Sequence, residues 1–290
     1  MGASTPHHCD TDPLPASDDG LLDNSYVLGH HGFIYTSASF STTMTQRHPA
    51  VLLLSVDGRP FKTALPDGRV LSSAALMVPP RVERSLDATG VPIISLNIMP
   101  AHASYHVFRA MQHGGVRELD RHLFNRLNDE LDALLQGRAT IVEAELTFSR
   151  AVAEVQRVLP PAPAPDPRAL PLIRMLDAHP ELSLDALARK LGYSHQVMSR
   201  LFSSAVGMSM RDYQNWLKQR RVYDVLYTRR SITQVAYLAG FADSPQFTRT
   251  FQRWYGQTPS TARDPKHVRV FIHGGSNQPP AAPGAPQDAG

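Results

Sequence analysis

Two stretches in the last third of this 290-residue chain repeat one another, and that repeat limits the fold more than any other feature. Leu187-Ala188 and Gly192-Tyr193 match Val235-Ala236 and Gly240-Phe241 at an offset of 48 residues. Ser199-Arg200-Leu201-Phe202 then matches Thr248-Arg249-Thr250-Phe251 at an offset of 49, as Gly207 matches Gly256. Each copy reads as helix, tight turn, helix. In the first, Ser183 is placed to cap a helix whose apolar face is Leu184, Leu187, Ala188 and Leu191, at i, i+3, i+4 and i+7. Gly192 suits the left-handed residue that ends it. Ser194 caps a second helix that buries Met198, Leu201, Phe202 and Ala205.

In the second copy Ser231 and Gln234 form a capping box, and Ile232, Val235, Ala236 and Ala239 form the buried face. Gly240 ends that helix. Ser244 is expected to cap the next, with Pro245 at its first position, where a missing donor is harmless. Phe247, Phe251 and Trp254 face the core. A long connecting helix is expected over Met210 to Tyr227, with Tyr213, Trp216, Leu217 and Val225 on its buried side.

Helix positions that are not needed for packing are free for recognition, and a recognition helix turns its N-terminal residues into the major groove. In the first copy the outward residues are His195, Gln196, Ser199 and Arg200. In the second they are Gln246, Thr248 and Arg249, with Ser244 at the tip. Arginine pairs with guanine edges, glutamine with adenine, and serine or threonine with several bases or with phosphate. Arg200 and Arg249 recur at matched positions. Lys218, Arg220, Arg221, Arg229, Arg230 and Arg253 fit phosphate contacts or plain solvation.

Charge follows the same division. Residues 1–167 carry 13 Lys+Arg and 18 Asp+Glu, a net of −5, whereas residues 168–267 carry 15 and 7, a net of +8. A basic segment of this kind matches nucleic acid as a partner. Pro160, Pro161, Pro163, Pro165, Pro167 and Pro171 crowd the place where the sign changes, which predicts an extended, semi-rigid spacer.

The segment from about Pro171 to Arg263 resembles the AraC/XylS family of bacterial transcription regulators. The resemblance rests on Gly240-Phe241-Ala242-Asp243-Ser244, on Phe247-Thr248-Arg249-Thr250-Phe251, and on Gly256 and Pro259-Ser260. Asp224 departs from the family pattern, where a small apolar residue is usual, as does Ala262, where an aromatic is common. The resemblance implies two recognition helices in adjacent major-groove turns on one face of double-stranded promoter DNA. It also implies a homodimer, a small-molecule effector, contact with RNA polymerase and, more often than not, activation.

From Ser25 to about Ile98 the pattern is short and strand-like. Val51–Leu54 with Val56, Leu76–Val78, and Val91 to Ile98 are three runs, and Asp57-Gly58 and Asp67-Gly68 are turn signals. Such spacing suggests a sandwich or small barrel. Helical periodicity follows: Val116, Leu119, Leu123, Leu127, Leu131 and Leu134 recur every three or four residues, and Thr140 with Glu143 caps a helix running to Leu159. The leucine stripe fits packing against its own barrel or a dimer interface. His48-Pro49-Ala50, Asp57-Gly58 and Val78-Pro79-Pro80 loosely resemble the cupin-type sensing domain of the same family.

The expected fold is therefore α+β: an N-terminal cupin-like β-barrel with a helical dimerisation segment, and a C-terminal all-α double helix-turn-helix domain. The expected division is a disordered arm at 1–24, a sensing and dimerisation domain at 25–159, a linker at 160–170, the DNA-binding domain at 171–267 and a disordered tail at 274–290. His30-His31 and His48 do not reproduce cupin metal spacing, because neighbours on a strand point to opposite faces, so no metal is assigned. His48, Arg81 and Glu83 lie near strand ends and read as surface residues.

No catalytic constellation, cofactor motif or phosphate loop is present in the sequence, and the chain is not read as an enzyme. The alternative is a metal-dependent cupin enzyme fused to a DNA-binding domain. A third reading is a DNA binder whose N-terminal half only dimerises. No stretch has the length of an apolar membrane span, and Met1 to Gly20 lacks the basic start and apolar run of a signal peptide. The single cysteine, Cys9, fits a reducing cytoplasm.

Overall fold

The runs Ala50–Ser55 and Ile93–Ile98 are buried at every position rather than at alternate ones. Strands of that kind need cover on both faces, and the architecture supplies it. The computed structural model describes residues 22–272 apart from 30, 101, 163–166, 169–170, 173–174, 177–178, 180–181 and 207. Most of the arm expected at 1–24, most of the proline linker and all of the tail at 274–290 lie outside the described residues.

The chain opens with β1 (Asp23–Val27), β2 (Gly32–Ser37), β3 (Phe40–Thr45), β4 (Ala50–Ser55) and β5 (Phe61–Ala64). Then come β6 (Val70–Ser73), β7 (Ala75–Val78), β8 (Arg84–Ala88) and β9 (Ile93–Ile98). Helix α1 (Tyr105–Ala110), β10 (Arg117–Glu118), a 3-10 turn at Arg121–Leu127, α2 (Asn128–Leu135) and α3 (Ile141–Val158) complete this half. A last strand, β11 (Val268–Ile272), comes from the far end of the described chain.

Seven strands form one sheet in the order β10-β7-β4-β9-β2-β1-β11, and four form another in the order β3-β8-β5-β6. Val51, Leu53, Leu76, Val78 and Ile93 turn from the first sheet toward Phe61, Leu86 and Ala88 of the second. On its other face Leu52, Leu54, Met77 and Leu96 meet Phe124, Leu131, Leu134, Phe148 and Val152. The central strands thus sit between a second sheet and a layer of helices.

That arrangement corrects the expected cupin-like barrel. No closed sheet is found among the described residues: the end strands β10 and β11 of one sheet, and β3 and β6 of the other, do not pair. The unalternating apolar runs reflect cover by separate layers on the two faces, which a barrel does not require. The metal-dependent cupin alternative loses its scaffold with the barrel.

The leucine stripe is also rearranged. A single helix over Val116 to Leu135 is replaced by β10, the 3-10 turn and α2. The amide of Leu119 donates to Ala75 O at 2.9 Å, continuing the sheet, and the Asp120 carboxylate accepts from His122 N to start the turn afresh. Leu131 and Leu134 are fully buried in their own sheet's core, so they are not free to meet a partner helix. The Thr140–Glu143 capping box forms as the spacing predicts.

β11 ties the two ends of the described chain together. It lies parallel to β1, from Asp23 beside Val268 to Val27 beside Ile272. Phe271 stacks on Tyr26 with ring centroids 4.4 Å apart. The helical C-terminal segment is therefore anchored to the N-terminal sheet at its C-terminal end.

Candidate nucleic-acid interface

Local sequence builds each helix-turn-helix unit. In the first, α4 (Leu184–Leu191) starts where the Ser183 hydroxyl accepts from Ala186 N and stops at Gly192, whose φ of 71° is left-handed. Ser194 Oγ then accepts from Val197 N at 3.3 Å and α5 (His195–Val206) begins. Leu187, Ala188, Met198, Leu201 and Phe202 share one core with Leu172 and Leu176. Gly207 and the side chain of Ala205 lie outside the described residues.

The second unit comprises α7 (Ile232–Leu238) and α8 (Ser244–Tyr255), joined through Gly240 at φ 87°. Between the units runs α6 (Met210–Leu226). Its first half gives Tyr213, Trp216 and Leu217 to the first core, and its second half gives Val222 and Leu226 to the other. Val225, expected on that face, is half-buried; the buried register runs through Val222 and Leu226. The Ser231–Gln234 capping box is formed in both directions. The cap of α8 is Asp243 rather than Ser244: its carboxylate accepts from Gln246 N at 2.6 Å. Ser244 becomes the first helical residue, and its hydroxyl donates to Thr233 Oγ1 at 2.9 Å.

The eight residues singled out for DNA fall into two groups. His195, Gln196, Arg200, Gln246 and Arg249 are exposed, whereas Ser199, Ser244 and Thr248 are half-buried. Two of the exposed ones are held in place. His195 Nδ1 lies 2.6 Å from Asp185 Oδ1, and Gln246 Oε1 accepts from Ala242 N at 3.1 Å, which leaves its NH2 group as a donor. Among the described residues, neither Arg200 nor Arg249 has an ion-pair partner. Of the other cations, Lys218 and Arg220 lie over the rings of Phe241 and Trp216, while Arg221, Arg229, Arg230 and Arg253 are exposed.

One residue was missed by reading polar types alone. Val197 is 41% exposed on α5, beside Gln196. The 49-residue offset pairs it with Gln246, and that signal was present in the sequence. An exposed valine there has the chemistry to meet a thymine methyl group.

The N-terminal half holds the C-terminal ends of both α5 and α8. Arg109 of α1 donates to Ser203 O and Ser204 O in the last turn of α5, where a cation also suits the helix dipole. Gln46 N donates to Arg253 O at 3.1 Å in the last turn of α8. At the end of α8, Gly256 has φ 75°, and a Cβ there would lie 2.5 Å from Thr42 Cγ2, so only glycine allows this approach to β3. Arg81 pairs with Asp212 at the start of α6. His48 Nδ1 lies 3.1 Å from Gln219 Oε1, and burial holds this imidazole below its usual pKa. The Gln219 side chain in turn donates to the Tyr255 hydroxyl. His48, expected at the surface, is thus part of the seam between the halves, as is Arg81.

His31 and His48 do not converge on a metal-binding cluster: no group of three or more His, Cys, Asp or Glu side chains suited to a metal occurs among the described residues, and His30 lies outside them. No helix of the described residues is long and apolar enough to cross a membrane.

The match to a known family falls on the same segment. The family described as Helix-turn-helix domain matches residues 187–264. An uncharacterized HTH-type transcriptional regulator of Staphylococcus aureus is 32% identical over 89 residues, covering 30% of this chain but only 12% of that longer protein. Regulatory protein SoxS of Escherichia coli is 32% identical over 98 residues, covering 32% of this chain and 89% of SoxS. Among solved structures, ToxT of Vibrio cholerae aligns over 78% of this chain and 94% of its own, with 12% identity and a TM-score of 0.49. With 89% of SoxS matched at 32% identity, and with two helix-turn-helix units in its fold, the chain belongs to the AraC/XylS-type helix-turn-helix transcription regulators.

Proposed function

We propose that this protein regulates transcription by setting the N-terminal faces of α5 and α8 into adjacent major-groove turns of promoter DNA. The observation that carries the reading is the pair Arg200 and Arg249, exposed at matched positions of the two helices and, among the described residues, free of ion-pair partners. His195, Gln196, Ser199, Ser244, Gln246 and Thr248 complete the reading surface. Their half-buried hydroxyls suit phosphate or close base contact, and the exposed side chains suit base edges. Residues 171–267 form the DNA-binding unit and residues 25–159 the regulatory unit. The seam at Arg109, Gln46, Gly256 and Gln219 gives the regulatory unit a hold on both recognition helices, through which a small effector acts. The effector shifts activity only by preferring the arrangement that fits DNA. Homodimerisation, contact with RNA polymerase and an activating, cytoplasmic role complete the proposal.

Phosphate contacts from Lys218, Arg220, Arg221, Arg229, Arg230 and Arg253 would make binding steeply dependent on salt. Six such contacts predict a loss of about a thousandfold in affinity between roughly 50 and 200 mM salt. Fluorescence anisotropy on duplex DNA measures it, and an affinity that is flat in salt would remove DNA as the partner.

A further inference from the structure

Among the described residues, Arg81 is the only one other than glycine with a positive φ, 62°. That conformation strains a residue with a Cβ and persists only where the surroundings impose it. Here they do. Arg81 N donates to Arg47 O at 2.7 Å, and Arg81 O accepts from Gln46 Nε2 at 3.0 Å. Pairing within the sheets does not require the strain, because β7 ends at Val78 and β8 starts at Arg84. What the turn achieves is to send the Arg81 side chain out of the N-terminal half to Asp212 of α6.

The ion pair lies in a cleft of about 310 Å³, room for a group much larger than a water. Asp212, Asn215 and Lys218, at i, i+3 and i+6, line it from α6. Gln246, Thr250 and Arg253, at i, i+4 and i+7, line it from α8, and Gln46, Arg47, His48 and Arg81 from the N-terminal half. Four of these side chains are cations, Arg47, Arg81, Lys218 and Arg253, and Asp212 is the single acid. Arg81 neutralises that acid and leaves three cations in the cleft with no acid opposite them. The Arg81 side chain is 41% exposed and gives Nη1 to Asp212, while its other donors meet no acceptor among the described residues. Gln246, proposed above for base reading, is part of the lining, so the cleft opens on the reading side of α8.

We propose that this cleft seats a phosphate of the DNA backbone beside the base met by α8, and that Arg81, from the N-terminal half, holds that phosphate together with Lys218 and Arg253. A guanidinium carries five donors in a planar fork, so one edge can hold a carboxylate while another holds a phosphate. The N-terminal half is then part of the DNA-binding surface. The contact also depends on the seam: a shift that withdraws Arg81 removes one cation and leaves Asp212 facing the phosphate. This inference rests on the DNA-binding reading above.

The test uses the full chain and a duplex selected from a random library. Glycine takes the left-handed φ without strain, so Arg81→Gly is expected to match or exceed the wild type in Tm. It is expected to lose about five- to tenfold in affinity near 0.1 M salt, with the slope of log affinity against log salt shallower by about 0.9. Asp212→Asn breaks the same ion pair but keeps the cation, and is expected to bind DNA more tightly than the wild type. A mere brace between the halves would instead weaken both variants alike. Replacing one phosphate at a time by an uncharged methylphosphonate locates the contact. At the phosphate seated in the cleft the wild type is expected to lose affinity, and Arg81→Gly to lose little more. Four results would overturn the proposal: Arg81→Gly with unchanged affinity and salt slope; Arg81→Gly binding more tightly, as a loop that blocks the cleft predicts; equal losses in the two variants; or no methylphosphonate position at which the wild type and Arg81→Gly respond differently. A protein that needs Arg200 and Arg249 for its site but not Arg81 overturns this inference and leaves the DNA-binding reading standing. A protein that selects no DNA sequence overturns both.

Discussion

Phe247→Ala is expected to destabilise the second helix-turn-helix unit by about 3–5 kcal/mol, the usual cost of deleting a buried aromatic ring. Phe247 is fully buried at the centre of a ring cluster. Its ring centroid lies 5.1 Å from that of Phe241 and 5.8 Å from that of Phe251. Phe241 follows the turn glycine, Gly240, so the cluster fixes the angle between α7 and α8 as well as filling the core. Alanine removes the central member, and helices held mainly by packing cannot close over the space without changing that angle. Hydrogen-exchange mass spectrometry on the full chain measures the result. Protection should fall across α7 and α8 and persist in α4 and α5, whose core shares none of these rings. Unchanged protection in α8 would mean that the unit is not organised around this ring.

Arg200→Ala and Arg249→Ala are expected to leave the fold intact and weaken binding to the cognate site. A bidentate contact to a guanine edge is worth roughly 1–3 kcal/mol of discrimination, or about 5- to 150-fold in affinity. Both side chains are exposed, so their removal opens no cavity. Because the two sit on different units, their losses should add to a good approximation. Binding to scrambled DNA depends on total charge, and each variant should lose only the small contribution of one cation there. Parallel titrations on selected and scrambled duplexes separate the two effects. Equal losses on both would assign these arginines to the phosphate backbone.

The C-terminal segment was legible because its signals are local. Ser183, Ser231 and Gln234 cap where their spacing puts them, Gly192 and Gly240 adopt left-handed turns, and the apolar periods fall on the observed cores. Two details differ: Asp243 replaces Ser244 as the cap of α8, within a run where both neighbours have capping side chains, and Val222 and Leu226 rather than Val225 carry the buried register of α6. The strands β4, β7 and β9 were equally visible as apolar runs. Their neighbours were not, because a run of buried residues does not say which layer covers each face. Hence an open pair of sheets under a helical layer was read as a barrel. The leucines from Leu119 to Leu134 are spaced for a helix, yet backbone pairing of Leu119 with Ala75 takes the first of them into a strand. β11 was missed because its partner β1 lies at the other end of the described chain.

The arrangement of the halves bears on how a signal could reach DNA. The N-terminal half touches α5 and α8 at their last turns, while the residues proposed for base reading lie toward their first turns. A small rotation at the seam would therefore tilt the reading ends without covering them. Gly256 against Thr42 and Arg109 on Ser203 and Ser204 are the two places where such a movement would be transmitted.

Selection of bound duplexes from a random DNA library, followed by footprinting of the winners, tests the central claim most directly. Two recognition helices predict two conserved blocks about 10–10.5 base pairs apart, centre to centre, with major-groove protection on one face of the duplex. Arg200→Ala should relax one block and Arg249→Ala the other. A single conserved block, or enrichment of no sequence at all, would contradict reading by both α5 and α8.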